Sequence, residues 1–337
     1  MIEGGSNKRP PFHMKQSTLL ALLLSFSALF ADSPADSGAV SGLQPDPRRL
    51  TVTPSSLPKK EEDPFAKRDP HFVLNGEWLL WTIQEGMLDY AVRPPDPSGP
   101  LGRARIARTG FDWDPGYRLS FGYYRAQSFW EMLGSYTFLR VRGDSATVDS
   151  SSSVRFGYHH TDLLGSCIFY PSVETRLKLS LSGGPEFAFM NQQHYVGGGL
   201  PSEDRKRSWR YWGGGFRAGT GFEWYWGHGL YVSGLFSTGL VIGHYRNISR
   251  QQSPTLSVEY DDYRVAHSLR FLVGPSFRKN AGMIAFALSA GYEMTLWGNL
   301  QEVRPFEDSK EKREAPLPQN RGLLLMHGLS LRATLAF

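Results

Sequence analysis

Cysteine is almost missing from this chain. Cys167 stands alone among 337 residues, which excludes an internal disulfide and leaves only an intermolecular one open. Its ordinary role is that of a small residue on a strand face. Past the first thirty-odd positions no apolar run approaches the roughly 18 residues a membrane-crossing helix needs, so a helical membrane protein is excluded. Charged residues make up 20% and the net charge is +5, scattered along the chain, without the clustered basic face that nucleic acid demands. No G-x-S-x-G elbow occurs, and no Ser, His and acid group stands out. The expectation is a protein that is not an enzyme, with no catalytic, cofactor or metal residues to name.

Two patterns imitate chemistry. Gly213, Gly215 and Gly219 have a loose dinucleotide-loop spacing, but such a loop must lead into a helix, and Phe222 to Trp226 (FEWYW) follows instead. On a strand these glycines all face inward, where bare backbone leaves lumen space or lets another segment approach. His159, His160 and Asp162 suggest a metal site, yet adjacent strand residues point to opposite faces and cannot easily share one ion. His244, His267 and His327 are isolated and fall on the outward face of the strands described next.

What the chain has in quantity is glycine, 36 residues, aromatics at 13%, and a period of two. The last sixteen residues show it best. Leu323, Leu325, Leu329, Leu331, Ala333, Leu335 and Phe337 take alternate places, with Gly328, Ser330, Arg332 and Thr334 between the later ones. An apolar edge strand invites pairing with other chains, and a closed barrel in an outer membrane removes that edge while needing an apolar outer face. Leu329, Leu331, Leu335 and Phe337 are therefore read as the signature of a closing strand.

The chain in order fits that reading. Residues 1–13 lack periodicity and form an upstream extension. Residues 14–31 pair Lys15 with the apolar run Leu19 to Phe30 and small residues after it, the make-up of a secretory signal too short to span. Residues 32–70, rich in Pro, Ser, Asp and Lys, form a flexible periplasmic leader. Residues 71–337 form the barrel. Strands are expected over Phe72 to Arg93, then from Tyr117, from Trp130, over Val154 to Tyr170, where alternation is weakest, and from Arg176, Trp209, Leu230, Tyr263 and Ile284, with the closing strand last. Polar stretches such as Asn247 to Asp262 read as loops.

Connections alternate between short (AQS, PSVE, GHG, KNAG) and long, the outer-membrane rule of tight periplasmic turns and extended external loops. Counting gives about ten antiparallel strands, within a range of 8 to 16. A soluble barrel or sandwich would share the period. Against it stand strands of about 15–20 residues, where globular ones run about 5–6, and aromatic caps such as Trp209, Tyr211, Trp224, Tyr225 and Trp226 around one strand.

Inward positions lean cationic: Arg118, Arg176, Lys178, Arg217, Arg264, Arg270 and Arg332 against Glu223 and Glu293. Rings of Arg and Lys in a pore favour anions, and the same residues paired with carboxylates would fill a narrow barrel.

Several stretches carry a family likeness. GEWLLWTIQEGMLDYA, WDPGYRLSFGYY with SFWEMLGSYTF, WGGGFRAGTGFEW and the terminal HGLSLRATLAF resemble the chlamydial major outer membrane protein and the Legionella-type pore-forming outer-membrane proteins. The resemblance implies a porin-like channel for small hydrophilic solutes in the bacterial outer membrane. It has no cofactor and no catalytic residues to carry over. One departure matters: the chlamydial proteins are cysteine-rich and cross-linked, and this chain is not. The expected partners are outer-membrane lipid, small solutes, the barrel assembly machinery through the C-terminal strand, and further copies of the chain, with no nucleic acid. The alternative from another class is a narrow structural or adhesive surface barrel acting through its external loops.

Overall fold

The computed structural model of the chain describes residues 71–85, 88–93, 105–125, 130–146, 150–171, 176–198, 204–251, 256–281, 284–303 and 320–337. The upstream extension, secretory signal and leader expected over residues 1–70 lie outside them. Among the described residues twelve strands occur: β1 His71–Glu85, β2 Asp89–Arg93, β3 Arg105–Arg108, β4 Asp114–Arg125, β5 Trp130–Ala146, β6 Ser150–Phe169, β7 Leu177–Gly198, β8 Arg205–Gly227, β9 Leu230–Gln251, β10 Leu256–Ala281, β11 Ile284–Val303 and β12 Asn320–Ala336. Among the described residues there is no helix.

Ten of these strands close an antiparallel barrel in the order β1-β12-β11-β10-β9-β8-β7-β6-β5-β4, and β2 pairs with β3 as a separate ribbon. The seam joins the first and last strands, Val73 opposite Ala336 through Glu85 opposite Leu324. Phe72 and Phe337 exchange both backbone hydrogen bonds at 2.9 and 3.0 Å, so the C-terminal residue is itself part of the closure.

Alternation sorts the wall into two faces. Leu119, Phe121, Leu181, Phe187, Phe216, Leu240, Ile242, Leu288, Leu329, Leu331, Leu335 and Phe337 are all exposed outward. A wall that displays so many large apolar side chains is built for lipid, since water-soluble proteins keep such patches small. Cys167 lies exposed on the same wall.

Stagger fixes the width. One row of paired residues runs Tyr263, His244, Trp212, Phe189, His159, Phe138, Tyr117, Trp78, Leu331, Ala290. Between the pairs Val273–Tyr292 and Ser276–Ser289, Ala290 comes back opposite Pro275. The row has returned to β10 twelve residues further along. Ten strands with that stagger tilt by roughly 40° and enclose an interior that side chains can fill.

The structure departs from the sequence-based expectations at several points. The alternation of short and long connections holds only in part, since β5 ends at Ala146 and β6 starts at Ser150, while β9 ends at Gln251 and β10 starts at Leu256, because the polar ends of these strands pair instead of looping. Phe72 to Arg93 is two strands, since β1 stops at Glu85 and β2 belongs to the ribbon. The polar stretch Asn247 to Asp262 is not a loop as a whole: Asn247 to Gln251 pair with Leu256 to Tyr260, and Asp261 and Asp262 with Arg246 and Tyr245, as extensions of β9 and β10. Arg176 is not on a strand; it is an exposed turn residue at φ 51°, next to the start of β7.

Glycines admit close approach at the strand crossings. A Cβ on Gly215 would lie 1.9 Å from the Leu240 carbonyl oxygen on β9, whereas one on Gly76 would meet nothing within 4 Å. Gly215→Ala is expected to lower the unfolding free energy by about 1–3 kcal/mol in urea titration of the detergent-folded barrel, with Gly76→Ala near neutral.

Candidate functional site in the barrel interior

The inward face is not uniform along the axis. At the end carrying the tight turn Gly227 to Gly229, a cavity of about 270 Å³ is lined by residues including Asn75, Ser120, Glu131, Ser180, Ser289 and Thr334. Lys178 Nζ lies 3.3 Å from Glu223 Oε1 on its wall, and Arg278 reaches the same carboxylate at 3.2 Å.

Above the cavity the lumen is crossed by a belt of ion pairs. Arg118 is its hub. Its Nε donates to Thr137 at 2.8 Å, Nη1 to Glu77 at 2.6 Å and to Glu293 at 3.1 Å, and Nη2 to Glu293 at 2.9 Å. Glu293, with no solvent exposure, also accepts from Arg270 Nε at 2.5 Å and Ser330 at 2.8 Å. Arg332 donates to the second oxygen of Glu77 at 2.7 Å. On the facing wall Arg217 donates to Glu186 at 2.9 Å, and His160 meets the same carboxylate at 3.0 Å. Asp162 stands 3.9 Å from Arg217 and accepts a 2.5 Å bond from Ser135.

Four arginines therefore meet four carboxylates. Charges drawn out of water in this way must be paired, because an orphaned buried ion costs several kcal/mol. The cationic bias read from the sequence is cancelled within the belt by Asp162, weighed in the sequence only beside the histidine pair, and by Glu77 and Glu186, which the sequence reading did not single out.

The third layer is apolar. Leu79, Trp81, Leu139, Val141, Phe156, Met190, Tyr211, Tyr245, Trp297 and Met326 point inward and are almost completely buried. Rings form a chain: Phe111 to Phe156 at 6.4 Å, Phe156 to Trp209 at 6.0 Å and Trp209 to Tyr245 at 6.0 Å. Arg264 caps it, its guanidinium 3.9 Å from the centre of the Tyr245 ring. A second contact joins Tyr158 on β6 to Trp297 on β11, with centroids 6.4 Å apart. Those strands are five places apart in a ring of ten, so this contact spans the full width of the lumen. The segment before β4 folds in as well: Thr82 Oγ1 donates to the Phe111 carbonyl at 3.1 Å, and Thr109 Oγ1 to Ser152 at 2.6 Å.

Of the residues expected to line the lumen, the belt collects Arg118, Arg217, Arg270, Glu293 and Arg332. The cavity wall takes Lys178 and Glu223, Arg264 sits among the rings, and Arg176 is in the exterior turn. The histidine pair divides as strand geometry requires: His160 faces the belt, and His159 faces outward, where its Nδ1 lies 2.8 Å from the Tyr136 hydroxyl. On the outer wall His327 pairs with Tyr292 at 2.6 Å, and His244 is salt-bridged to Asp261. Among the described residues no group of three His, Cys, Asp or Glu side chains is placed to hold a metal ion.

No curated protein sequence matches the chain. Solved structures of similar shape include the outer membrane protease OmpT of Escherichia coli, 7% identical over 79% of this chain and 96% of that one, TM-score 0.44. Others are the attachment invasion locus protein Ail of Yersinia pestis, 12% identical over 80% and 99% with TM-score 0.26, and the toluene transporter TodX of Pseudomonas putida, 10% identical over 81% and 90% with TM-score 0.32. Likeness at this level carries no function from them to this chain. A family model has no such weakness: the one described as the Legionella pneumophila major outer membrane protein precursor matches residues 69–319, and the chain belongs to that family of bacterial outer-membrane barrels.

Proposed function

We propose that this barrel serves the cell surface as a structural or adhesive outer-membrane protein acting through its external face, with no catalysis of its own. The observation that carries the reading is the contact of Tyr158 with Trp297 across the whole lumen, above a belt of paired charges. A permanently open diffusion path for hydrophilic solutes needs a wet, unobstructed interior. Here the described side chains meet in the middle.

Passive passage of small hydrophilic solutes, anions first, is the second reading, and the 270 Å³ polar cavity with Lys178, Arg270, Arg278 and Arg332 on its wall favours it. In that case the belt and the rings would have to part. The closing strand, with Leu329, Leu331, Leu335 and Phe337 turned outward, would be what the assembly machinery reads in either case.

Planar-bilayer recording of the purified full-length protein separates the two. The expected outcome is a membrane that stays electrically silent after insertion. Reproducible unit steps would overturn the surface reading in favour of a pore, and a reversal potential in a salt gradient would then report its ion preference.

A further inference from the structure

The outer wall changes character toward the end that carries the long connections, which is the external end by the outer-membrane rule. On β5 and β6 the outward residues Tyr136, Phe138, His159 and Leu163 are followed at once by Arg140, Arg142 and Arg155. Arg142 and Arg155 are directly opposite each other in the ladder, and Arg140 lies two residues from Arg142 on the same face. Their Cα atoms are thus about 5–7 Å apart. Two strands further round, Arg210 on β8 extends the patch one residue pair above the lipid-facing Phe189–Trp212 pair. All four arginines are exposed.

Like charges placed opposite each other across strands repel. Among the described residues Arg140, Arg142, Arg155 and Arg210 make no ion pair. The nearest carboxylate contact is Asp114, which accepts from the Arg142 backbone amide at 2.8 Å, and Asp144 follows outward on β5. Arg246, opposite Arg210, differs in being paired with Glu259. Among the described residues the four guanidinium groups therefore have no carboxylate partner, and the cluster sits at the upper border of the zone the wall gives to acyl chains. Guanidinium forks match phosphate oxygens two at a time. An anion that presents phosphate at this height with acyl chains below it would satisfy both halves of the surface.

The geometry points to a binding site for the phosphorylated glycolipid of the outer leaflet, lipopolysaccharide, with Arg140, Arg142, Arg155 and Arg210 on its phosphates and Phe138, His159, Phe189 and Trp212 beside its acyl chains. The inference rests on the outer-membrane placement of the barrel and is independent of whether the lumen conducts.

The test uses the full-length chain in a neutral detergent with three probes: bisphosphorylated lipid A, the same lipid with both phosphates removed, and inorganic phosphate. Wild-type protein is expected to bind the phosphorylated lipid, to bind the dephosphorylated lipid at least tenfold more weakly, and to be unaffected by millimolar inorganic phosphate. With each surface cation contributing about 1 kcal/mol near an anionic lipid, the triple variant R140E/R142E/R155E is expected to lose about a hundredfold in affinity. The arginine-to-lysine triple, which keeps charge and loses the fork, should fall in between and guards against misfolding. The pair Lys206→Glu with Arg250→Glu, further out on β8 and β9, should change little. Equal binding of both lipids, full competition by inorganic phosphate, or unchanged affinity in a folded R140E/R142E/R155E variant would each overturn the assignment.

Discussion

Replacing Glu293 with alanine is expected to destabilise the folded barrel by about 3–5 kcal/mol, the typical result of breaking a buried ion pair from one side. The carboxylate accepts from Arg118 through two nitrogens, from Arg270 and from Ser330. Alanine would leave two guanidinium groups that are nine-tenths buried or more facing each other without it. Glu77 would hold one side of Arg118, and among the described residues no other carboxylate is ion-paired with Arg270. The companion measurement is the double change of Glu293→Leu with Arg118→Leu. Replacing both members of a buried pair by apolar residues is often close to neutral, so the double variant should recover a large part of the loss, although Glu77 and Arg270 keep charge nearby. Urea unfolding in detergent, followed by tryptophan fluorescence and by the gel mobility of the folded form, reports both. A single variant as stable as the wild type would mean that water reaches the belt freely.

The second large effect concerns the rings. Truncating Tyr158 and Trp297 together to alanine removes the contact that bridges opposite walls. Loss of a buried tryptophan costs about 3–5 kcal/mol in packed cores. In a barrel whose strands remain fully hydrogen-bonded, the freed space should fill with water. The expected result is a folded protein that shows unit conductance steps where the wild type shows none. Leu331→Ala, which trims an outward side chain, should leave the bilayer silent. Silence from the folded double variant would locate the seal in the ion-pair belt or in the other chain of rings, from Phe111 through Phe156 and Trp209 to Tyr245.

Much of this architecture is legible in the sequence because one face of each strand answers to lipid. Leu329, Leu331, Leu335 and Phe337 alternate with Ser330, Arg332 and Thr334, and period two then gives direction and face at once. Where lipid stops, the rule stops. From Asn247 to Asp262 neither face needs apolar residues, so paired strand reads as loop although Tyr245 and Tyr260 still point inward. From Leu79 to Ile83 the opposite happens. Both faces are apolar, and the broken alternation is the local sign that the interior there is packed with side chains.

The belt was half visible. Inward charges such as Arg118, Arg270 and Glu293 stand out against apolar neighbours, and parity alone puts them inside. Their partners do not follow from parity, because Glu77 meets Arg332 and Glu293 meets Arg118 only once register is fixed around the ring. A surplus of arginine in the sequence therefore says little about the sign of the interior until the carboxylates are counted at the same depth.

The seam between β1 and β12 ties manufacture to architecture. β1, the first strand of the barrel, has the last, β12, as its neighbour, and the Arg332–Glu77 bond spans 255 positions. Until β12 is in place, β1 has an unpaired edge. Closure of the cylinder therefore waits on the pairing most distant in sequence and is a late event rather than one of a series of local stages.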